Sequence, residues 1–175
     1  GEFYSLLLLA AVGAMAMAAS VDALPLFLGL ELLSIPLYVL NAFLRRVPIS
    51  VEAGLKYFVV GAFASAFVVY GIALLYGATA TTDLVEMGRR VMEAGQLEPI
   101  VGIGLAMVVG GLGFKLALFP FHGWAPDVYQ GGPTPVTAFL SVVPKGAALI
   151  ALLRIVDGMD LLVVSGRWLW AAGTI

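Results

Sequence analysis

Four charged side chains stand inside long apolar stretches of this sequence, where a charge is energetically costly. They are Glu31, Lys56, Lys115 and Lys145. An ionisable group at the centre of a lipid bilayer costs about 2.5 to 3.5 kcal/mol on insertion scales, and such groups usually face a bundle interior and mark ion or proton pathways. Since one carboxylate cannot fully pair three ammonium groups, the set favours proton exchange along a buried path. A static buried ion pair is the alternative interpretation.

Lys56 and His122 each allow two interpretations. Lys56 lies near one end of its apolar stretch, where its stem can be buried while its ammonium group reaches the interface. His122 is the only histidine and follows Pro120 near the end of another stretch. Because histidine exchanges protons near neutral pH, His122 is a candidate relay between a cavity and the aqueous side. Alternatively, it belongs to an interfacial aromatic belt with Trp124 and Tyr129.

Three of the charges have a proline close by in the sequence. These prolines are Pro36, Pro120 and Pro144. A proline inside a helix donates no backbone hydrogen bond and crowds the preceding turn. Broken helices at membrane depth are tolerated where they line a polar cavity, and they mark ion sites in transporters. We expect a kink or break at each proline, with the helix interrupted one turn past Lys115, although transmembrane helices also contain prolines without function.

The elements that position these residues are predicted to be transmembrane helices, each of which needs about 20 mostly apolar residues. Five segments meet this requirement, at about residues 2–20, 24–43, 53–76, 100–119 and 135–155, and a sixth begins at about residue 168. Only a short connection joins the first two, so these must be antiparallel neighbours. The sequence therefore predicts an all-α fold, a polytopic transmembrane helix bundle.

Two further segments shape the expected organisation. The connection TTDLVEMGRRVMEAGQLEP, between the third and fourth spans, has the apolar spacing of a short amphipathic helix at the membrane interface. Thr81 or Thr82 is its expected N-cap and Gly95 its expected end. The chain begins without Met and stops at WLWAAGTI, inside an apolar stretch, so we expect it to be an internal fragment of a longer protein.

Composition excludes several classes of function. Of the 175 residues, 62% are hydrophobic and 11% are charged, and the mean hydropathy is +1.06, so the chain is expected to be a membrane protein. A net charge of −2 without a basic cluster argues against nucleic-acid binding. The absence of cysteine excludes disulfides, thiolate-bound zinc and iron–sulfur ligation by this chain. No metal or cofactor site is expected, and any redox chemistry requires another polypeptide.

The segment FKLALFPFHGWAPDVYQGGPTPVTAFLSVVPKGAAL resembles the antiporter-like subunits of respiratory complex I, and among them the subunit N family of NADH-quinone oxidoreductases. The resemblance rests on FKxxxxPFHxWxPD, on the loop PTPVTAF and on the lysine in PKGAAL. Sister subunits M and L typically have a histidine and an Ala-Thr-Met run where Lys145 stands here. The stretches ELLSIPLYVL and EAGLKYFVVGAFASAF are also similar to family helices, so the resemblance covers nearly the whole chain.

This resemblance implies roles for the charged residues. Family members contain two inverted repeats of five helices, each with one discontinuous helix, so residues 1–175 would form one repeat. Glu31 would be the glutamate that couples neighbouring subunits, and Lys115 the central proton-carrying lysine on the broken helix. Lys145 would link the half-channel to the second repeat, with Lys56 as a further polar partner.

The resemblance also implies an energy source and partners. Quinone reduction elsewhere in the complex would drive proton transfer, with NADH, FMN, iron–sulfur clusters and quinone bound by other subunits. The expected partners are neighbouring antiporter-like membrane subunits and the lipid bilayer, and the expected location is the cell (inner) membrane as a multi-pass protein. The alternatives are a subunit of a multisubunit cation/proton antiporter or membrane-bound hydrogenase, and a structural membrane subunit whose charges only fix helix packing.

Overall fold

The protein is a bundle of α-helices in the residues that the computed structural model describes, 1–94 and 98–160. The helices are α1 (Glu2–Ala19), α2 (Ala23–Asn41), α3 (Pro48–Thr79), α4 (Leu84–Glu93), α5 (Pro99–Lys115), α6 (Ala125–Gly131) and α7 (Thr134–Gly158). The predicted all-α fold is confirmed. The sixth span, expected from about residue 168, lies outside the described residues.

Each of the five predicted spans corresponds to one observed apolar helix, although several bounds differ. By length and composition, α1, α2, α3 and α7 can each cross a membrane, and α5 is a shorter apolar helix. α3 is longer than predicted because Pro48, placed in its first turn, starts the helix before the apolar stretch. Large apolar side chains also point outward, among them Leu8, Phe63 and Val142. Such apolar surfaces are stable when they face lipid or pack against further helices. Together with the long apolar helices, they mark the chain as a multi-pass membrane protein.

The connection between α1 and α2 is held by a second loop. Asp22 caps α2 by accepting a hydrogen bond of 2.9 Å from the backbone N–H of Leu24, and its other carboxylate oxygen accepts one of 2.8 Å from the hydroxyl of Thr82. The N–H of Ala23 donates to the carbonyl of Thr82, and that of Leu84 to the carbonyl of Val21. These bonds fix the start of α2 to the loop that follows α3. The α1 and α2 helices pack against each other, and their predicted antiparallel pairing is confirmed.

Close packing of α1 on α2 depends on a residue without a side chain at Gly13. A Cβ atom there would lie 2.6 Å from the carbonyl carbon of Leu32 and 2.8 Å from the Cα of Leu33, both of them backbone atoms that cannot move aside. We therefore expect Gly13→Leu to destabilise the full-length protein by at least about 3 kcal/mol, because an overpacked interface must separate. Thermal unfolding in detergent measures this effect.

Gly77→Leu is the matched control for this prediction. Gly77 also lies in a membrane helix, but a Cβ atom there meets nothing within 4 Å. Its unfolding temperature should stay close to that of the unsubstituted protein. Equal unfolding temperatures for the two variants would mean that backbone contact between α1 and α2 contributes little to stability.

The second half of the bundle is built on α3. α5 packs along it, α6 lies across its first turns, and α7 contacts α1, α2, α4 and α5. The core runs between these helices and contains fully buried Leu33, Leu37, Tyr57, Leu112 and Val128. Side chains from α2, α3 and α5 therefore meet at the centre of the bundle, where the short helix α6 also reaches.

The predicted amphipathic helix is α4, with a different cap. Its N-cap is Asp83, which accepts a hydrogen bond of 2.8 Å from the N–H of Glu86, so the expectation of Thr81 or Thr82 was wrong by one or two residues. Neither threonine is needed as the cap, because the Asp83 side chain already accepts a hydrogen bond from a free N–H at the helix start. The helix ends at Glu93, and Gly95 lies outside the described residues.

The exposed face of α4 has an ion-pair cluster that should resist acid. Hydrogen bonds from Arg89 and then Arg90, at 2.6 and 2.7 Å, hold the pKa of the Glu86 carboxyl at about 2, below its ordinary value of 4.5. A depressed pKa means that the stabilisation is present above pH 4.5 and is lost as the pH falls through about 2. Carbon-13 NMR of the labelled carboxyl in the detergent-solubilised protein should give this midpoint, and Arg89→Gln should raise it. A midpoint near 4.5 without substitution would contradict the cluster.

Candidate functional site

α5 ends at Lys115 in a turn with two characteristic hydrogen bonds. The N–H of Leu118 donates to the carbonyl of Gly113 at 2.9 Å, and the N–H of Ala117 donates to the carbonyl of Phe114 at 3.0 Å. Ala117 adopts a left-handed φ of 53°. This is the Schellman arrangement, which ends a helix while satisfying its last carbonyls. It makes Lys115 the final residue of α5, at the end of the helix dipole that favours a positive charge.

The interruption therefore begins earlier than predicted. The helix was expected to continue to about residue 119 and to be disturbed by Pro120, but it stops at Lys115, and residues 116–124 form irregular turns before α6. The local turn at Ala117 ends the helix before the proline can. A kink or break was also expected at Pro36 and Pro144; α2 and α7 continue through these buried residues, so neither helix is broken there. Packing in the core compensates for the single hydrogen bond that each proline removes.

Lys115 is buried against aromatic rings. Its side chain is 2% exposed, and its Nζ lies 5.4, 5.1 and 5.9 Å from the ring centroids of Tyr38, Tyr57 and Phe114. The Nζ also donates a hydrogen bond of 3.4 Å to the Tyr57 hydroxyl. Trp124 stacks on Tyr57 with centroids 5.1 Å apart. We call Tyr38, Tyr57, Phe114 and Trp124 the aromatic cage; its ring faces favour an ammonium ion by cation–π attraction.

The cage joins separate elements of the fold at the break in the helix. Tyr38 comes from α2, Tyr57 from α3, Phe114 from α5, and Trp124 from the end of the irregular segment. The indole Nε1 of Trp124 donates a hydrogen bond of 3.1 Å to the carbonyl of Phe114. This is the second hydrogen bond that the Phe114 carbonyl accepts, after that from Ala117, and it fixes the indole within the cage. The interruption of the helix thus brings both Lys115 and Trp124 to the cage.

Glu31 lies near Lys115 without forming an ion pair with it. Its carboxylate is within Coulombic range of the Lys115 ammonium group, but no ion pair within 4.0 Å joins them among the described residues. Glu31 Oε1 and the hydroxyls of Tyr38 and Ser65 are buried and have no hydrogen-bond partner among the described residues. Buried polar atoms are normally paired or hydrated, so we expect water around these groups.

Lys145 lies halfway along α7 and contacts a tyrosine of α6. It is half-buried, and its Nζ lies 5.5 Å from the ring centroid of Tyr129. Tyr129 packs edge-on against Trp124 with centroids 6.0 Å apart. Lys115 and Lys145 therefore contact opposite ends of one series of aromatic rings, and neither lysine has an ion-pair partner in the described part of the chain.

Lys56 lies apart from the cage in a cluster of charges. Its Nζ is 2.8 Å from Glu52 and 2.7 Å from Asp127, and its side chain is 46% exposed. Asp127 belongs to the first turn of α6, so the pair connects α3 to the short helix after the break. The sequence suggested that the Lys56 ammonium group lies near an interface. Its pairing with Asp127, 71 positions away, could not be recognised from the sequence.

His122 is exposed within the irregular segment. Its ring lies 5.7 Å from that of Phe119. The interfacial belt suggested for His122, Trp124 and Tyr129 was wrong for Trp124, which is 7% exposed and belongs to the cage. The indole packs against the rings of Tyr57 and Phe114 inside the bundle, as large aromatic side chains commonly do.

Sequence reasoning missed the cage and one further buried polar residue. A signal for Tyr38 existed, because it follows Glu31 by seven positions and therefore lies on the same face of α2. Asn41, one turn later, is fully buried, and its side-chain nitrogen and oxygen have no hydrogen-bond partner in the described residues. An unpaired buried amide is costly. Asn41 thus extends the row of buried polar groups that Glu31 and Tyr38 form along α2.

The chemistry that this arrangement supports is movement of a proton or small ion. A buried lysine changes its affinity for a proton when nearby charges or hydration change, and the groups around Lys115 are placed to influence it. Within residues 1–94 and 98–160, no three histidine, cysteine, aspartate or glutamate side chains are placed so that they could bind one metal ion. The fold and site together define a multi-pass helix bundle with an interrupted helix and a buried ionisable residue, an arrangement typical of ion and proton transporters.

Comparison with known proteins identifies the family. The family described as NADH:quinone oxidoreductase/Mrp antiporter, TM matches residues 20–172, and the chain belongs to this family. NADH-quinone oxidoreductase subunit N 1 of Sorangium cellulosum is 49% identical over 162 residues, covering 90% of this chain and 32% of the relative. The chain therefore spans about a third of the length of such curated relatives.

Two solved structures have the same fold. A chain of respiratory complex I from Thermus thermophilus with bound aureothin superposes with a TM-score of 0.77 and 46% identity, covering 87% of this chain and 34% of that chain. A chain of the Mrp complex from Dietzia sp. DQ12-45-1b gives a TM-score of 0.79 and 28% identity, covering 95% of this chain and 30% of that chain. The fold is thus shared by subunits of different membrane complexes.

Proposed function

We propose that this chain is one five-helix repeat of a proton-translocating membrane subunit of an NADH-quinone oxidoreductase. The observation that carries the proposal is Lys115, fully buried at the end of an interrupted helix with aromatic rings around it. A permanently charged structural lysine would be expected to have a carboxylate against it, and Lys115 has none within 4.0 Å among the described residues. Identity of 42–49% to subunits named N supports the choice of complex.

Proton transfer in this proposal depends on the balance between charge and burial. A nearby carboxylate stabilises the protonated form of a lysine, whereas an apolar environment penalises it. Glu31 and the ring faces of the cage favour the ammonium form of Lys115 and its burial disfavours that form, so weakening the influence of Glu31 releases the proton. Lys145 then receives it on the far side of the cage. Each unit of change in proton affinity corresponds to about 1.4 kcal/mol.

The remaining residues have secondary roles. Lys56 and Asp127 hold α6 in position and adjust the charge near the break, and His122, exposed beside it, exchanges protons with the aqueous side. The driving energy comes from quinone reduction on other subunits, which bind NADH, FMN, iron–sulfur clusters and quinone. The partners are neighbouring antiporter-like subunits in the cell (inner) membrane.

Two other functions remain distinguishable. The similarity to a chain of an Mrp complex favours a cation/proton antiporter as the second candidate. A membrane-bound hydrogenase subunit would share the same helices. In a purely structural subunit, the charges would serve helix packing alone, and Lys115→Met would then reduce assembly more than turnover.

Reconstitution separates these candidates. The complete complex, containing the full-length subunit, is placed in liposomes and supplied with NADH and quinone, and internal acidification is followed with and without sodium. We expect proton uptake that does not depend on sodium and that Lys115→Met removes without loss of assembled complex. Sodium-dependent transport, or loss of the assembled complex in the variant, would contradict the proposal.

A further inference from the structure

Three aromatic rings in contact with one another link buried Lys115 to half-buried Lys145. Tyr57 contacts Lys115, Trp124 stacks on Tyr57, and Tyr129 packs on Trp124 and contacts Lys145. The ring centroids are 5.1 and 6.0 Å apart along this series. The two lysines therefore contact opposite ends of one series of rings, which we call the aromatic wall.

Only the outer two rings of the wall have hydroxyl groups. The Tyr57 hydroxyl accepts the hydrogen bond from Lys115, and it lies within electrostatic range of Tyr129. The Tyr129 hydroxyl is buried and lacks a hydrogen-bond partner in the described residues. A hydroxyl both donates and accepts hydrogen bonds, so an unpaired buried one is a strong site for an ordered water molecule.

Trp124 cannot take part in the same way. Its one polar group, the indole N–H, is a donor only, and it is already bonded to the carbonyl of Phe114. The indole therefore offers no free polar group in the middle of the series of rings. The polar groups that the series does offer are the hydroxyls of Tyr57 and Tyr129.

We propose that the hydroxyls of Tyr57 and Tyr129 hold water molecules in a proton route around Trp124, joining Lys115 to Lys145. This inference rests on the proposed function. Lys115 gives a proton to Tyr57 as Tyr57 passes its own to the adjacent water, and Tyr129 repeats the exchange toward Lys145. Each tyrosine accepts one proton and releases one, so neither ends with a charge. Lys115 becomes neutral, and Lys145 gains the proton if it was neutral before.

The test uses variants that keep each ring and remove only its hydroxyl. In the complete complex in liposomes, Tyr57→Phe and Tyr129→Phe should each slow NADH-driven proton translocation about tenfold, because each removes a hydrogen bond to the relay water. The solvent deuterium isotope effect should increase in both. Because the two hydroxyls serve one route, the double variant should be no slower than the slower single variant. Tyr70→Phe is the control, since Tyr70 is 58% exposed on α3.

The outcomes separate this inference from the proposed function. Normal translocation in both phenylalanine variants would overturn the hydroxyl route, even if Lys115→Met is inactive. If Tyr129→Phe is normal and Tyr129→Leu is slow, the ring alone matters and the inference is again wrong. If Lys115→Met itself translocates protons normally, the proposed function fails. Unchanged assembly of the phenylalanine variants, measured on native gels, is expected because their packing is preserved.

Discussion

Replacing Lys115 with alanine is expected to abolish proton translocation while the complete complex remains assembled. The substitution removes the only amine in the cage, and positioned proton-transfer groups typically contribute about 10² to 10⁴ in rate. The cage can tolerate the loss, because Tyr38, Tyr57 and Phe114 still pack against one another and Trp124 keeps its hydrogen bond to the backbone. The rate of proton translocation per assembled complex, measured in liposomes, should fall about a hundredfold or more.

Lys115→Arg distinguishes a proton carrier from a fixed positive charge. Arginine keeps the charge and also interacts with aromatic rings, but it does not lose its proton in proteins. We therefore expect Lys115→Arg to be as inactive as Lys115→Ala. An arginine variant that assembles and translocates protons at the normal stoichiometry would mean that the positive charge is needed only for structure.

Replacing Glu31 with glutamine is expected to slow proton translocation about tenfold without affecting insertion. The amide keeps the shape of the side chain and removes the negative charge that acts on Lys115. A loss of about 1.4 kcal/mol of interaction corresponds to one unit of proton affinity and to a tenfold change in rate. Because Glu31 Oε1 has no hydrogen-bond partner in the described part of the chain, glutamine should leave the packing of α2 unchanged.

Glu98→Gln is the matched control for this substitution. Glu98 is the N-cap residue of α5, it is exposed, and its side chain makes no capping hydrogen bond. The loss of one carboxylate there should leave translocation unchanged. If both glutamine variants slow the complex equally, the effect comes from overall charge and the specific influence of Glu31 on Lys115 is contradicted.

The spans were predictable because the bilayer requires them. Backbone polar groups cannot remain unpaired in lipid, so a long apolar stretch almost always becomes a helix. This rule located α1, α2, α3, α5 and α7 from composition alone. Their ends were less predictable, because caps and neighbouring loops determine them. Asp22 and Asp83, for example, take roles that depend on which backbone N–H groups are free.

The helix break illustrates what sequence reasoning can and cannot give. Pro120 correctly indicated that α5 would not continue, but the point of termination depended on Ala117 adopting a left-handed conformation, which is uncommon for alanine. Pro36 and Pro144 gave the same local signal, yet α2 and α7 continue through them. Tertiary packing decides between these outcomes, and a proline alone does not report it.

The charged residues of the candidate site were predictable and their partners were not. A charge inside an apolar stretch stands out in any sequence, which is why Glu31, Lys115 and Lys145 were recognised. Tyr38, Tyr57 and Trp124 look like ordinary apolar residues until α2, α3 and the irregular segment are brought together. The cage therefore emerges only from contacts between distant parts of the chain.

The most direct test of the account is the protonation state of Lys115 during turnover. Infrared difference spectroscopy of the complete complex, with isotopically labelled lysine, compares the resting state with the state formed on quinone reduction. The account predicts a change in the ammonium deformation band that is missing in Lys115→Arg. An ammonium band for Lys115 that stays constant throughout turnover would contradict the claim that this residue releases and recaptures a proton.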